Sequence, residues 1–185
     1  LDDIRVSNNV SYVILRYFNV AGADPIGRYG QSSKKATHLI KLAVRTALGI
    51  DAKLKIYGTD YPTPDGTCIR DYIQVNDLAR AHISALEYLR DGGDSQICNC
   101  GYEKGVSVLS IIESVKRNSG INFMVEETVR RAGDPAAIIA SNRKLKRLMG
   151  WTPKYDDLDV IVQQAINWEK KLINMTQNIN NTSRV

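Results

Sequence analysis

Between Tyr57 and Ala79 the chain reads Y-G-T-D-Y-P-T-P-D-G-T-C-I-R-D-Y-I-Q-V-N-D-L-A, and no other stretch limits the fold so much. Pro62, Pro64, Gly58 and Gly66, set among Asp and Thr, exclude regular structure from Gly58 to Thr67. Ordered loops of this kind on a rigid scaffold are where binding residues concentrate. The run Arg70-Asp71-Tyr72-Ile73-Gln74-Val75 returns to extended structure. Asp77 or Asn76 can then cap a helix Leu78–Arg90, whose apolar positions Leu78, Ala81, His82, Ala85, Leu86 and Leu89 fall at helical spacing. Arg70 is thereby delivered at a loop-to-strand junction. Its planar, permanently charged fork suits a phosphate, but the same guanidinium could simply pair with Asp71 or Asp77.

The flanking sequence alternates strand and helix patterns. Ser11–Val20 is a nearly continuous apolar run rich in β-branched and aromatic residues, as in a parallel strand buried on both faces. It places Phe18 and Asn19 at a strand's carboxyl end, where ligands of open α/β sheets bind; core packing is the competing expectation for Phe18. Helices are expected over Ala36–Leu48, ended by Gly49, and over Val108–Asn118, with Ser107 as cap and Gly120 as terminator. Two more are expected from Ser141, as cap, to Met149 and over Leu158–Leu172, with a frayed tail from Met175. Lys53–Tyr57, Ser95–Tyr102 and Ile121–Glu127 read as strands. Tyr29 and Lys34 mimic a Tyr-x-x-x-Lys catalytic pair. Four residues separate them, however, so they cannot share a helix face. The turn Arg130-Arg131-Ala132-Gly133-Asp134-Pro135 is a second meeting of cations and an acid, and convergence with Arg70 would suit a diphosphate.

The 185 residues suffice for one good core, and 43% hydrophobic with 24% charged residues is ordinary for a globular chain. No apolar run approaches a membrane span. Cys68, Cys98 and Cys100 are an odd number without zinc-site spacing, which reads as reduced thiols in the cytoplasm. With only His38 and His82 as histidines, no metal site is expected, and His82, on the apolar side of its helix, reads as a satisfied core residue. The net charge of +5 gathers partly at Arg143, Lys144, Lys146 and Arg147, but without interleaved aromatics this reads as a solvated helix face and not a nucleic-acid surface.

Five stretches together resemble one family: L-R-Y-F-N-V-A-G-A-D-P (Leu15–Pro25), T-H-L-I (Thr37–Ile40), the stretch Ile56–Ala79, R-R-A-G-D-P (Arg130–Pro135) and G-W-T-P (Gly150–Pro153). They resemble the extended short-chain dehydrogenases that act on nucleotide sugars, and most closely the UDP-glucose 4-epimerase branch, over residues 10 to 172. The resemblance implies an α/β fold: the C-terminal part of a Rossmann-type NAD-binding domain, with strands at 11–20 and 95–102, interleaved with a small mixed α/β substrate-binding domain at 21–94 and 103–173. The family's Gly-rich NAD fingerprint and catalytic Tyr-x-x-x-Lys do not occur in these 185 residues.

The activity implied for the intact parent is interconversion of UDP-galactose and UDP-glucose through a 4-keto intermediate with bound NAD; the chain alone is expected to be inactive. Carried over by motif, Phe18 borders the nicotinamide, Asn19 contacts the diphosphate, and Arg70 and Arg131 grip phosphate. Asp134 accepts from a ribose hydroxyl, Lys55, Ile56, Tyr57 and His38 frame the uridine or sugar, and Ile138 stands where relatives tune acceptance of N-acetylated sugars. The implied partners are the two UDP-sugars, the N-terminal half of the same enzyme and, as an option, a second copy in a homodimer, with no nucleic acid and no membrane. Gln31–Lys35 departs from the family in being polar to basic where acidic residues are expected. A non-catalytic UDP-sugar-binding remnant, a split-enzyme subunit, and a UDP-sugar decarboxylase or dehydratase are the alternative readings.

Overall fold

The computed structural model describes residues 3, 10–33 and 35–182. Its strands are β1 (Val13–Arg16), β2 (Asn19–Ala21), β3 (Leu54–Tyr57), β4 (Ile69–Arg70), β5 (Tyr72–Gln74), β6 (Gln96–Asn99), β7 (Val106–Ser107), β8 (Val125–Thr128) and β9 (Ala137–Ile138). The helices numbered here are α1 (Leu39–Ala47), α2 (Val75–Arg90), α3 (Val108–Ser119), α4 (Arg143–Met149) and α5 (Leu158–Thr182). Parallel pairing dominates: β1 with β6, β2 with β5, and β3 with β8. β4 is the centre of a mixed sheet, antiparallel to β7 and parallel to β9. Among the described residues no helix is long and apolar enough to cross a membrane.

The core lies where α1, α3 and α5 pack on one another and on the strands. Ile40, Val44, Ile111, Ile112, Val115, Ile161, Val162 and Ile166 interdigitate there with Leu54, Ile56, Tyr72 and Ile73. Helical periodicity selects these positions, since each helix buries one apolar stripe. Ser107 and Gly120 cap and end α3 as the sequence predicts: the Ser107 hydroxyl accepts from the Ser110 N–H at 3.1 Å, and Gly120 has φ of +70°.

Several local expectations are corrected. The run Ser11–Val20 is not one strand, because β1 and β2 pair with different partners and the chain bends between them, leaving Tyr17 and Phe18 42% and 46% exposed. Core packing of Phe18 is thereby overturned. Helix α2 starts at Val75, capped by neither Asn76 nor Asp77 but by the buried Gln74, whose side-chain oxygen accepts from the N–H groups of both at 2.5 and 3.2 Å. His82 is a surface residue, satisfied at Nδ1 by the Leu78 carbonyl at 2.9 Å, and Leu86 is also exposed. Asn142, not Ser141, precedes α4; the Ser141 hydroxyl donates to Glu103 instead. The chain stays helical past Leu172 to Thr182, with the Thr176 hydroxyl bonded back to the Leu172 carbonyl at 2.9 Å. Lys34 lies outside the described residues.

Candidate functional site

The loop after β3 is ordered by its own side chains. Asp65 accepts from the Thr67 N–H at 2.9 Å and from the Thr67 hydroxyl at 2.8 Å, and its other oxygen accepts from Ser107. Tyr61 N–H closes the loop on the Gly66 carbonyl at 2.8 Å. This fold-back delivers Cys68, Ile69 and Arg70 into the centre of the mixed sheet.

Strand alternation then divides neighbouring residues between two duties. Asp71 turns inward, 2% exposed, and gathers the N–H groups of Tyr102 at 3.0 Å, Ala140 at 3.1 Å and Glu103 at 3.3 Å. Burial nonetheless pushes its carboxyl up from the usual range. Asp77, fully buried, accepts from the Tyr102 hydroxyl at 2.7 Å and the Tyr155 N–H at 2.8 Å. Neither acid is available to Arg70, so both pairings open to sequence reading are overturned. The Arg70 guanidinium pairs with Asp134 instead and donates to the Ile69 carbonyl at 2.7 Å.

Arg131 reaches the same region from the turn after β8. Its guanidinium lies 3.8 Å above the Tyr57 ring centroid, and its carbonyl accepts from the Asp134 N–H at 3.2 Å. Asp134 thus joins the two arginines, through its carboxylate to Arg70 and its N–H to the Arg131 carbonyl. Burial pushes the nearby Cys68 thiol up, against the pull of both guanidinium charges. Tyr57, Arg70 and Ile138 are each the last residue of a strand, and Arg70 is paired with Ile138 in register. Asn19, which opens β2 and so does not stand at a strand's carboxyl end, joins through the residue after Arg70, its side-chain amide donating to the Asp71 carbonyl at 3.0 Å.

The remaining expected site residues are placed differently. Ile56 is 2% exposed and points into the core, as strand alternation from Lys55 requires, so its side chain cannot frame a ligand. Lys55 points to solvent, 3.9 Å from Glu126. His38 borders a cavity of about 420 Å³, whose lining also includes Val20, Ala21, Gln31, Lys41 and Trp168. Phe18 is exposed where β1 gives way to β2. Sequence reasoning assigns Tyr61 no role, and it marks Arg130 only as the first cation of the turn Arg130–Pro135. The Arg130 guanidinium stacks 4.2 Å over the Tyr61 ring and pairs with Asp60 at 2.6 Å, while the buried Tyr61 hydroxyl has no hydrogen-bond partner. The proline pair around Thr63 was the available signal, since it forces the loop back on itself.

Parallel strand pairs flanked by helices define an α/β protein, with arginines and an aromatic ring gathered at strand carboxyl ends, where such folds place their ligand sites. The chain belongs to the NAD dependent epimerase/dehydratase family, whose model matches residues 1–101. It is 50% identical over 172 residues to a UDP-glucose 4-epimerase of Azospirillum brasilense, covering 93% of this chain and 49% of the relative. It superposes on the UDP-glucose 4-epimerase from Brucella ovis in complex with NAD with a TM-score of 0.87 and 44% identity, covering 90% of this chain and 51% of that one. For the UDP-Glc/GlcNAc 4-epimerase from Campylobacter jejuni the TM-score is 0.77 and the identity 48%, covering 92% and 52%. The chain thus spans about half the length of the relatives it matches.

Proposed function

We propose that this chain is the UDP-sugar-holding part of an NAD-dependent UDP-glucose 4-epimerase, whose whole interconverts UDP-galactose and UDP-glucose through a 4-keto intermediate. The observation that carries the reading is the convergence of Arg70, Arg131, Asp134 and Tyr57 at strand ends, linked by the Arg70–Asp134 pair, the Asp134 N–H on the Arg131 carbonyl and the Arg131 guanidinium on the Tyr57 ring. A guanidinium stacked on a ring keeps its N–H edge for an oxyanion, and a second one nearby suits the adjacent phosphate. In this reading Arg70 and Arg131 grip the diphosphate, the Asn19 amide contacts it, and Asp134 accepts from a ribose hydroxyl. Tyr57 and His38 frame the nucleoside or sugar, with Ile138 beside Arg70. A firmly held nucleotide lets the hexose turn over within the site, so binding energy from the unreactive part supports chemistry at the other end.

Bound NAD supplies hydride acceptance and return at the sugar C4. Of this chain's residues, Phe18 fits a place beside it, being an exposed ring at a strand break. In this reading the Gly-rich fingerprint and Tyr-x-x-x-Lys lie in a part of the enzyme that these 185 residues do not span. Turnover by the 185 residues alone is therefore not expected; observed epimerisation of UDP-galactose by them would refute that part of the reading.

Calorimetric titration with UDP tests the clamp. Wild-type binding that is lost in Arg70→Ala and in Arg131→Ala supports it. Failure of a folded wild-type chain to bind UDP, or binding indifferent to both substitutions, overturns it.

A further inference from the structure

Lys41 of α1 and Glu169 of α5 form an ion pair at 2.6 Å with both side chains 7% exposed. The Lys41 ammonium also donates to the backbone carbonyl of Gln31 at 2.9 Å, and the Trp168 indole N–H donates to that carbonyl at 3.2 Å. Gly30 runs so close to the indole that a Cβ there would lie 2.6 Å from ring carbons. Two helices thus hold the segment around Gln31 by one carbonyl, and only glycine permits the approach.

The Gln31 side chain extends from this anchored peptide to His38, with its Nε2 2.5 Å from Nδ1 of the ring. With the amide nitrogen facing the ring, Gln31 donates to Nδ1, an arrangement that leaves the ring proton on Nε2. His38 occupies the N-cap position of α1 but makes no capping bond with its side chain. It stands on the rim of a cavity shared with Val20, the neighbour of Asn19.

We propose that Gln31, Lys41 and Glu169 are positioning residues for His38: the buried ion pair fixes the Gln31 peptide, and the Gln31 amide fixes His38 as the neutral Nε2–H tautomer, presenting an N–H donor to an oxygen of the bound nucleotide sugar. The role of the donor rests on the proposed UDP-sugar reading; the control of the tautomer does not. A carboxylate at position 31 would draw the proton to Nδ1 and turn the acceptor nitrogen toward the ligand. The polar segment Gln31–Lys35, a mere surface departure in sequence terms, thereby acquires a task at its first residue.

Long-range proton–nitrogen correlation spectra of the ¹⁵N-labelled 185-residue chain, recorded at about pH 8 where an ordinary histidine is neutral, read the tautomer directly. His82 is the only other histidine and serves as internal control. The wild type is expected to show His38 wholly as Nε2–H, Gln31→Glu to invert it to Nδ1–H, and Gln31→Ala to give an averaged pattern. Lys41→Met with Glu169→Leu removes both charges without stranding either, and is expected to match Gln31→Ala while its amide spectrum stays folded. An Nδ1–H tautomer in the wild type, the same tautomer in Gln31→Glu, or an unaltered pattern in the folded double variant would each overturn the proposal. UDP affinity should fall about tenfold in Gln31→Glu, the loss of roughly one good hydrogen bond. If the wild type shows the expected tautomer but binds no UDP, the nucleotide-sugar reading fails and the positioning of His38 stands.

Discussion

The guanidinium of Arg70, at the end of β4, is held by the carboxylate of Asp134 in the turn before β9, with 12% and 28% of the two side chains exposed. A ligand phosphate approaching Arg70 therefore meets a fork that already holds a carboxylate. The Ile69 carbonyl keeps one arm of the fork in place independently of Asp134. Neutralising the acid should thus favour a competing anion without disordering Arg70. Asp134→Asn is expected to tighten binding of inorganic pyrophosphate by roughly fivefold, about 1 kcal/mol in a partly exposed site. Arg70→Ala should weaken it at least about tenfold. Calorimetry at fixed ionic strength measures both, and weaker pyrophosphate binding by Asp134→Asn would show that the acid orients Arg70 instead of competing for it.

The Lys41–Glu169 pair carries a stability prediction separate from its proposed role beside His38. Breaking a buried pair strands one charge, at about 3–5 kcal/mol, whereas replacing both partners by apolar groups is often neutral. Arg45 lies 3.7 Å from the other Glu169 oxygen, so the carboxylate is not wholly stranded when Lys41 is lost. Lys41→Met should therefore fall near the lower end, about 3 kcal/mol, and Lys41→Met/Glu169→Leu should recover most of it. Urea unfolding of the two variants decides the matter: equal losses would mean that the pair contributes only through its hydrogen bonds.

Periodicity and punctuation made much of this fold legible. The stripes of α1 and α3, the Ser107 cap and the Gly120 terminator are local features, and they appear where local rules place them. What was not legible depends on partners distant in sequence. The bend at Tyr17 and Phe18 arises because β1 and β2 choose different strands, and Gln74 caps α2 because Asp77 is engaged by Tyr102 and Tyr155. In the candidate site, motif alone marked Arg70, Arg131 and Asp134, but not that Arg70 and Asp134 would pair. Simple alternation along Lys55-Ile56-Tyr57 was enough to turn Ile56 inward, a signal that the motif resemblance masked.

Asp65 predicts an acid limit for the loop. Burial alone would raise its carboxyl, but hydrogen bonds from Ser107 and from the Thr67 N–H and hydroxyl outweigh that and hold it below the usual carboxylate range. A carboxyl depressed in the folded state binds protons more weakly than in the unfolded chain. Its stabilisation is thus complete above the unfolded value of about 3.9 and is lost as pH falls through the lower folded value. Asp65→Asn is therefore expected to melt below the wild type at neutral pH, and the gap should narrow steadily once the pH drops under about 4. Thermal melts across an acid series read this, and a gap that is constant with pH would exclude a role for the charge.

Gly66 shows how tightly that loop is closed. It has φ of +78°, and a Cβ there would lie 2.1 Å from the Thr59 carbonyl oxygen, so any side chain must displace backbone. Its own carbonyl accepts from Tyr61 N–H and its N–H donates to the Thr63 carbonyl at 3.2 Å, so the displacement would loosen the ring that carries Arg130. Gly92 is the matched control, with φ of +85° and nothing within 4 Å of an added Cβ. Gly92→Ala should show only the left-handed backbone penalty, about 1 kcal/mol. Gly66→Ala should lose clearly more in urea unfolding, about 1–3 kcal/mol beyond the control by the usual cost of overpacking, and should expose the Gly58–Thr67 segment to limited proteolysis. Because the loop delivers Arg70, UDP affinity should fall in Gly66→Ala and hold in Gly92→Ala. Equal losses in the two variants would mean that the close approach at Thr59 relaxes at no energetic cost, and that Arg70 is held by the mixed sheet alone.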